Sequence, residues 1–136
     1  MSCYKLYFQI NVVAIMSKVK PILRIFDYDK AIEFYVNWLG FKIDWEHPNH
    51  HDAPIYLEVT LRDITLNLSE HHGDASPGSH VSIEDFKGLR AYHKELNDKR
   101  YKYNHPGLEV PEWNPKAITV TVYDPFGNRI TFSEEE

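Results

Sequence analysis

PILRIFDYDKAIEFYVNWLGF, residues 21–41, compresses a strand, a helix and a helix stop into twenty-one positions. The apolar run VKPILRIF (19–26) predicts a strand ending at Asp27. DYDKAIEFYVNWLG (27–40) predicts a helix. Asp27 or Asp29 can cap it, because a short carboxylate accepts from the unpaired N–H groups of a first turn. Ala31, Ile32, Tyr35, Trp38 and Leu39 recur at helical spacing and define its buried face. Gly40 is suited to the left-handed residue that ends such a helix.

Three strands follow. FKIDWEH (41–47) alternates, with Phe41, Ile43 and Trp45 on one side and Lys42, Asp44 and Glu46 on the other. PIYLEVTL (54–61) and ITLNLSE (64–70) are joined by Arg62-Asp63, the length of a tight hairpin turn. After the turn-rich HHGDASPGS (71–79) the pattern restarts. HVSIE (80–84) reads as a strand and DFKGLRAYHKELNDK (85–99) as a helix with Phe86, Leu89, Tyr92, His93 and Leu96 on its stripe. Tyr101–Tyr103 reads as a brief strand. NHPGLEVPEWNP (104–115) is an irregular loop, and AITVTVYD (117–124) and NRITFSE (128–134) are strands joined by DPFGN.

The chain thus carries strand–helix–three strands twice. The expected fold is α+β, two tandem βαβββ modules forming curved mixed sheets, with modules at about 17–74 and 75–136. Residues 1–16 are expected to lie outside the core. Their apolar stretch is interrupted by Gln9 and Asn11 and is too short to span a bilayer.

Two stretches together, 21–41 and DPFGNRITF at 124–132, with the long loop carrying Trp113, resemble the vicinal-oxygen-chelate superfamily, the fold of glyoxalases, bleomycin resistance proteins and certain dioxygenases. Within it the chain is most similar to bleomycin resistance proteins, over nearly everything from residue 19 onward. The resemblance implies a homodimer in which the sheets form two ligand crevices. Metalloenzymes of the superfamily hold a divalent ion there, whereas bleomycin resistance proteins bind and sequester the drug without chemistry.

Composition narrows the partners. A length of 136 residues suits one domain, and a net charge of −5 lacks the basic face that nucleic acid needs. The single cysteine, Cys3, excludes an intrachain disulfide and a multi-cysteine zinc site, and suggests a cytoplasmic protein. No membrane partner is expected.

Histidine clusters at 47–52 and 69–80 raise the question of metal. The adjacent pairs His50-His51 and His71-His72 lack ligand spacing, and neighbouring turn residues point apart, so solvated loop histidines are expected. Carried over from the superfamily, the first-strand ligand position falls on Lys20 or Pro21 and the last-strand position on Thr131, none of them suitable. The remaining position falls on Tyr56, with Glu58 close by. Only His80 matches, and zinc wants three or four good donors. His80 is therefore expected to line a ligand crevice, with a satisfied core histidine and a residual metal ligand as the alternatives. His93, on the helix stripe, is expected to pack rather than to react.

The aromatic residues carry the functional expectation. Trp113 lies in a proline-rich loop and matches the loop tryptophan that, by the resemblance, stacks on the drug's planar tail. Trp45 and Tyr56 occupy strand positions, and flat rings with acidic neighbours such as Glu109 and Glu112 favour planar cations. The expected protein binds a bleomycin-like glycopeptide or another planar cationic molecule through Trp45, Tyr56, His80, Glu112 and Trp113, with no catalysis and no cofactor. The alternatives are a metal-dependent enzyme of glyoxalase, transferase or dioxygenase type, and a binder of another small metabolite.

Overall fold

The computed structural model describes residues 16–50 and 52–136; Cys3, with the rest of segment 1–15, and His51 lie outside the described residues. The elements are β1 (Ile22–Arg24), α1 (Tyr28–Ala31, continued by a π-helical segment Ile32–Trp38), β2 (Lys42–His47), β3 (Tyr56–Leu61), β4 (Ile64–Ser69), β5 (His80–Ile83), α2 (Leu89–Asp98), β6 (Ala117–Tyr123) and β7 (Arg129–Glu135). They form a four-stranded sheet, β1-β4-β3-β2, and a three-stranded sheet, β5-β7-β6. In each sheet the first strand of the module runs parallel to its last, and the last two strands are antiparallel. The α+β architecture with mixed sheets is as expected.

The registers superpose one module on the other. Asn67 N–H donates to Pro21 C=O as Arg129 N–H donates to Ser79 C=O, and Ile22 pairs with Asn67 as His80 pairs with Arg129. Internal symmetry therefore matches His80 with Ile22 rather than with Lys20 or Pro21.

Asp27 caps α1, its Oδ1 accepting from Lys30 N–H at 3.0 Å. The buried face differs from a regular helical stripe: Phe34 is fully buried beside Ala31, Tyr35, Trp38 and Leu39, while Ile32 is only partly covered. The cause is the wider turn. Leu39 N–H reaches back to Phe34 C=O, five residues away, and each π turn advances the face by about one residue relative to an α turn. Phe34 and Trp38 rings then pack at 5.4 Å, and Gly40 takes a positive φ of 93° to release the chain into β2.

Three expectations for the second module are corrected. The helix begins at Leu89, not at 85, because Asp85 (φ 57°) and Gly88 (φ 72°) are both left-handed. Phe86 still joins the core, but as an extension of the sheet, its N–H donating to Ser133 C=O. Tyr101–Tyr103 is a turn rather than a strand. Asn104 substitutes for strand pairing there, its side chain holding both the C=O (2.9 Å) and the N–H (3.3 Å) of Tyr123. The place of β2 in this module is taken by a single bridge between Glu109 and Thr119, in a segment whose prolines at 106, 111 and 115 cannot donate to a ladder.

One core serves both modules. Leu23, Phe34, Leu57 and Leu68 belong to the same buried cluster as Leu89, Val120, Ile130 and Phe132. The helices are tied by Trp38 Nε1 donating to Leu96 C=O (3.0 Å) and Tyr92 hydroxyl donating to Leu39 C=O (2.6 Å). Burying apolar side chains on one face of each sheet leaves the alternate residues on the other, and that outer face carries the polar and aromatic groups of interest.

Candidate functional site

The outer face of the four-stranded sheet begins with an irregularity. The pairing of β2 with β3 shifts between Ile43 and Trp45, a β-bulge that breaks the alternation expected for FKIDWEH. An extra residue in one strand re-aims the side chains after it. Asp44 and Glu46 no longer share a face: Asp44 Oδ2 accepts from Thr60 Oγ1 (2.5 Å), whereas Glu46 Oε2 accepts from Tyr28 hydroxyl at the start of α1 (2.5 Å). Burial and the nearby Glu46 carboxylate push the Tyr28 hydroxyl up to about 12. Trp45 parts from buried Phe41 and lies opposite Glu58, outside the core.

Once turned out, Trp45 stacks on Tyr56, with centroids 5.7 Å apart and planes within 8°. Trp45 remains 44% exposed. Beneath it Glu58 is only 8% exposed, its Oε1 held by Lys20 Nζ at 2.6 Å. Tyr56 hydroxyl accepts from Asn67 Nδ2 at 2.8 Å. This is a flat aromatic platform over a floor of one carboxylate, one amide and one ammonium.

The outer face of the three-stranded sheet has different chemistry. His80 is exposed, not a core residue. Its Nδ1 lies 3.1 Å from Arg129 Nη2 and its Nε2 lies 3.0 Å from Thr131 Oγ1. A guanidinium only donates, so Nδ1 accepts and the ring proton sits on Nε2, donating to Thr131. Thr131 Oγ1 in turn lies 3.0 Å from Thr121 Oγ1. Both ring nitrogens are engaged and one faces a permanent cation, an arrangement that does not fit a metal ligand. Among the described residues no three His, Cys, Asp or Glu side chains gather closely enough to hold a metal ion.

The remaining expected residues stand apart. Trp113 is 70% exposed and Glu112 is exposed, both in the loop before β6, where Asn114 N–H turns back to Pro111 C=O. Of the five expected site residues the structure brings together Trp45 and Tyr56. Among the described residues no hydrogen bond or ring contact joins that pair to His80 or to Trp113. The loop histidines His50, His71 and His72 are exposed, and His93 contacts Pro106 C=O at 2.8 Å as a packed side chain.

Sequence reasoning missed Lys20 as Glu58's partner, and missed Asn67 and Arg129. Asn67 had a signal: in ITLNLSE it is the amide at the centre of a strand, between Leu66 and Leu68, where an apolar or hydroxyl side chain is usual. A better-enclosed cleft of about 420 Å³ lies elsewhere, between α1 and the 101–104 turn, lined by Lys30, Glu33, Tyr101, Tyr103 and Tyr123 among others. Its Tyr101 and Tyr103 rings meet edge to face, with centroids 5.5 Å apart. Burial and the Glu33 carboxylate hold the Tyr101 hydroxyl up at about 12, and Lys102 Nζ sits 5.0 Å from the Tyr103 ring centroid. The sheet face is the stronger candidate, because the parallel ring stack and, among the described residues, the buried polar side-chain atom without a hydrogen-bond partner lie there.

Comparison with known proteins agrees with this architecture. The family model described as glyoxalase superfamily protein matches residues 7–136. No curated protein is significantly similar in sequence. A bleomycin-binding protein solved with bleomycin has a similar structure, with TM-score 0.65, 19% identity, and coverage of 89% of this chain and 100% of the other. An antibiotic-binding protein from Streptomyces sp. CB03234 gives TM-score 0.66 at 22% identity, covering 90% and 98% of the two chains. A glyoxalase/bleomycin resistance protein/dioxygenase superfamily member from Sphaerobacter thermophilus DSM 20745 gives 0.61 at 20% identity, covering 88% and 98%. At these identities the likeness concerns the fold.

Proposed function

The chain belongs to the glyoxalase superfamily, and on that premise we propose that it is a binding protein that sequesters a planar, cationic, bleomycin-like molecule without chemically altering it. The observation that carries this reading is the exposed stack of Trp45 on Tyr56 above the Glu58 carboxylate. A flat ring gains dispersion and hydrophobic free energy on such a platform, and the aromatic faces favour positive charge. Stoichiometric capture needs no reacting group, and His80, locked between Arg129 and Thr131, is a lining residue in this account. Glu112 and Trp113 are loop contacts that close over the ligand.

The crevice is completed by a second copy. The platform lies on one sheet and His80 on the other, each on a face turned away from the chain's own core. A homodimer that sets the first module of one copy against the second module of the other joins them. In this proposal the working unit is residues 17–136, with modules at about 17–74 and 75–136, and the protein acts in the cytoplasm. Among the described residues no helix is long and apolar enough to cross a membrane.

Isothermal titration of the full chain with bleomycin tests the reading. Binding in the micromolar range or tighter, at one ligand per crevice, is expected. No heat at those concentrations removes bleomycin as the ligand, and a tryptophan-fluorescence screen of other planar cations then decides whether the binding role survives.

A further inference from the structure

We infer that Asn67 is a recognition residue, selecting a planar heteroaromatic ligand that presents an N–H donor to the outer face of the four-stranded sheet. The inference rests on the small-molecule reading above and narrows it to a ligand class. Asn67 lies in the middle of β4, in register with Ile22 of β1 and Glu58 of β3. The residue is 9% exposed. Its Nδ2 donates to Tyr56 hydroxyl at 2.8 Å, while its Oδ1 is buried and has no hydrogen-bond partner among the described residues.

A buried carbonyl oxygen without a donor weakens the fold, and native proteins rarely keep one without a reason. The polar residues beside it on the same strand and face are satisfied. Thr65 Oγ1 lies 3.2 Å from Thr60 Oγ1, and Ser69 Oγ donates to Asp74 Oδ2 at 2.6 Å. A sheet needing only stability is served as well by threonine or valine at this position.

The surroundings decide what the oxygen accepts. Glu58, the register partner of Asn67, adds a second acceptor, with Lys20 bound to its Oε1. The unpaired Asn67 oxygen therefore selects a donor. The hydroxyl that anchors the Asn67 amide belongs to Tyr56, the lower ring of the stacked platform. Platform and acceptor are thus one connected unit, and a flat ring with an N–H on its edge satisfies both.

The test is an equilibrium titration of the full chain, followed by tryptophan fluorescence, with 2-aminobenzothiazole and 2-(dimethylamino)benzothiazole. The two share a ring system and differ in the N–H donor. The wild type is expected to bind the amino compound about tenfold tighter or more, the scale of one partly buried hydrogen bond. Asn67→Leu, close in volume, is expected to reduce that preference to within about twofold while leaving the melting temperature near wild type, because removing the unpaired oxygen offsets the loss of the hydrogen bond to Tyr56. Asn67→Val, which also lacks an acceptor, provides the same readout if the leucine variant folds poorly. Equal binding of both compounds by the wild type overturns the role of Asn67 and leaves the platform reading standing. Binding of neither compound also overturns it, and if bleomycin fails too the platform reading falls with it. A variant that keeps the preference but loses stability, or that changes from dimer to monomer on sizing, assigns Asn67 to the fold or to an interface between copies and overturns the inference.

Discussion

The Tyr35 hydroxyl donates to Asp124 Oδ2 at 2.7 Å, joining the first helix to the DPFGN turn across 89 positions of sequence. The rest of the turn converges on the same carboxylate: Phe126 N–H and Asn128 N–H donate to Oδ1, both at 2.8 Å, and Asn128 Nδ2 donates to Oδ2 at 2.7 Å. Asn128 Nδ2 also donates to Arg24 C=O (2.8 Å), so the turn holds β1 as well. Tyr35→Phe removes one donor from a buried carboxylate and is expected to cost about 1.5–3 kcal/mol in urea unfolding. Asp124→Asn is nearly isosteric, yet it places an N–H₂ among groups that all donate. It is expected to cost more than Tyr35→Phe, and a smaller cost would show that the carboxylate is not what organises the turn.

Alkaline pH tests the same interior. Burial, then the charge of Asp124, push the Tyr35 hydroxyl well above its ordinary range, and burial with the Glu95 charge does the same for Tyr92. A hydroxyl whose folded-state value is raised contributes stability that is whole below its unfolded value near 10 and is lost as pH rises toward the folded value. Stability should therefore be flat from pH 7 to about 9.5 and then fall by about 1.4 kcal/mol per pH unit for each buried tyrosine. Absorbance at 295 nm should show Tyr35 and Tyr92 ionising only with unfolding. Early titration of all the tyrosines would contradict this burial.

The order of elements was legible because each was written in local chemistry: an aspartate cap and apolar stripe for α1, a two-residue hairpin link between β3 and β4, turn residues between modules. What was not legible was decided by contacts between distant residues or by a one-residue slip. The bulge at 43–45 turns Trp45 away from the side of Phe41, and no periodicity in FKIDWEH announces it. The π turn that buries Phe34 is hidden for the same reason. Trp45 and Tyr56 were recognisable as site candidates by type and strand position, but the ion pair of Lys20 with Glu58, 38 positions apart, was not. His80 was found from the superfamily resemblance, whereas the guanidinium beside it, which removes its ligand character, comes from β7.

The N-terminus of α2 supplies another case of a distant partner. Gly88 precedes the helix and has no side chain to cap it, and the first turn holds no acidic residue. Glu134, from β7, takes that role, its Oε2 accepting from Gly88 N–H (3.1 Å) and its Oε1 from Leu89 N–H (3.0 Å). Glu134→Ala is expected to cost about 1 kcal/mol, as for loss of a local cap, and to speed amide exchange at Gly88 and Leu89. Glu134→Gln, which keeps one acceptor oxygen, should lose about half as much. Unchanged exchange at both amides in Glu134→Ala would show that the carboxylate contributes nothing to the helix.

The tryptophans separate fold from ligand contact. Trp38 is 2% exposed, packs against Phe34 and Tyr101, and donates to Leu96 C=O. Trp38→Ala should cost about 3–5 kcal/mol, the range for emptying a large core site. Trp113, at 70% exposure, has little packing to lose, and Trp113→Ala should stay within about 0.5 kcal/mol of wild type. Trp45→Ala gives up one aromatic stack, about 0.5–1.5 kcal/mol. Acrylamide should quench Trp45 and Trp113 in the free protein and leave Trp38 emitting. A bound planar ligand should then protect the quenchable pair, and the alanine variants of Trp45 and Trp113 should lose about tenfold or more in affinity while melting near wild type. If Trp113→Ala instead unfolds the protein and leaves affinity intact, its loop is structural and the ligand rests on the Trp45–Tyr56 platform without it.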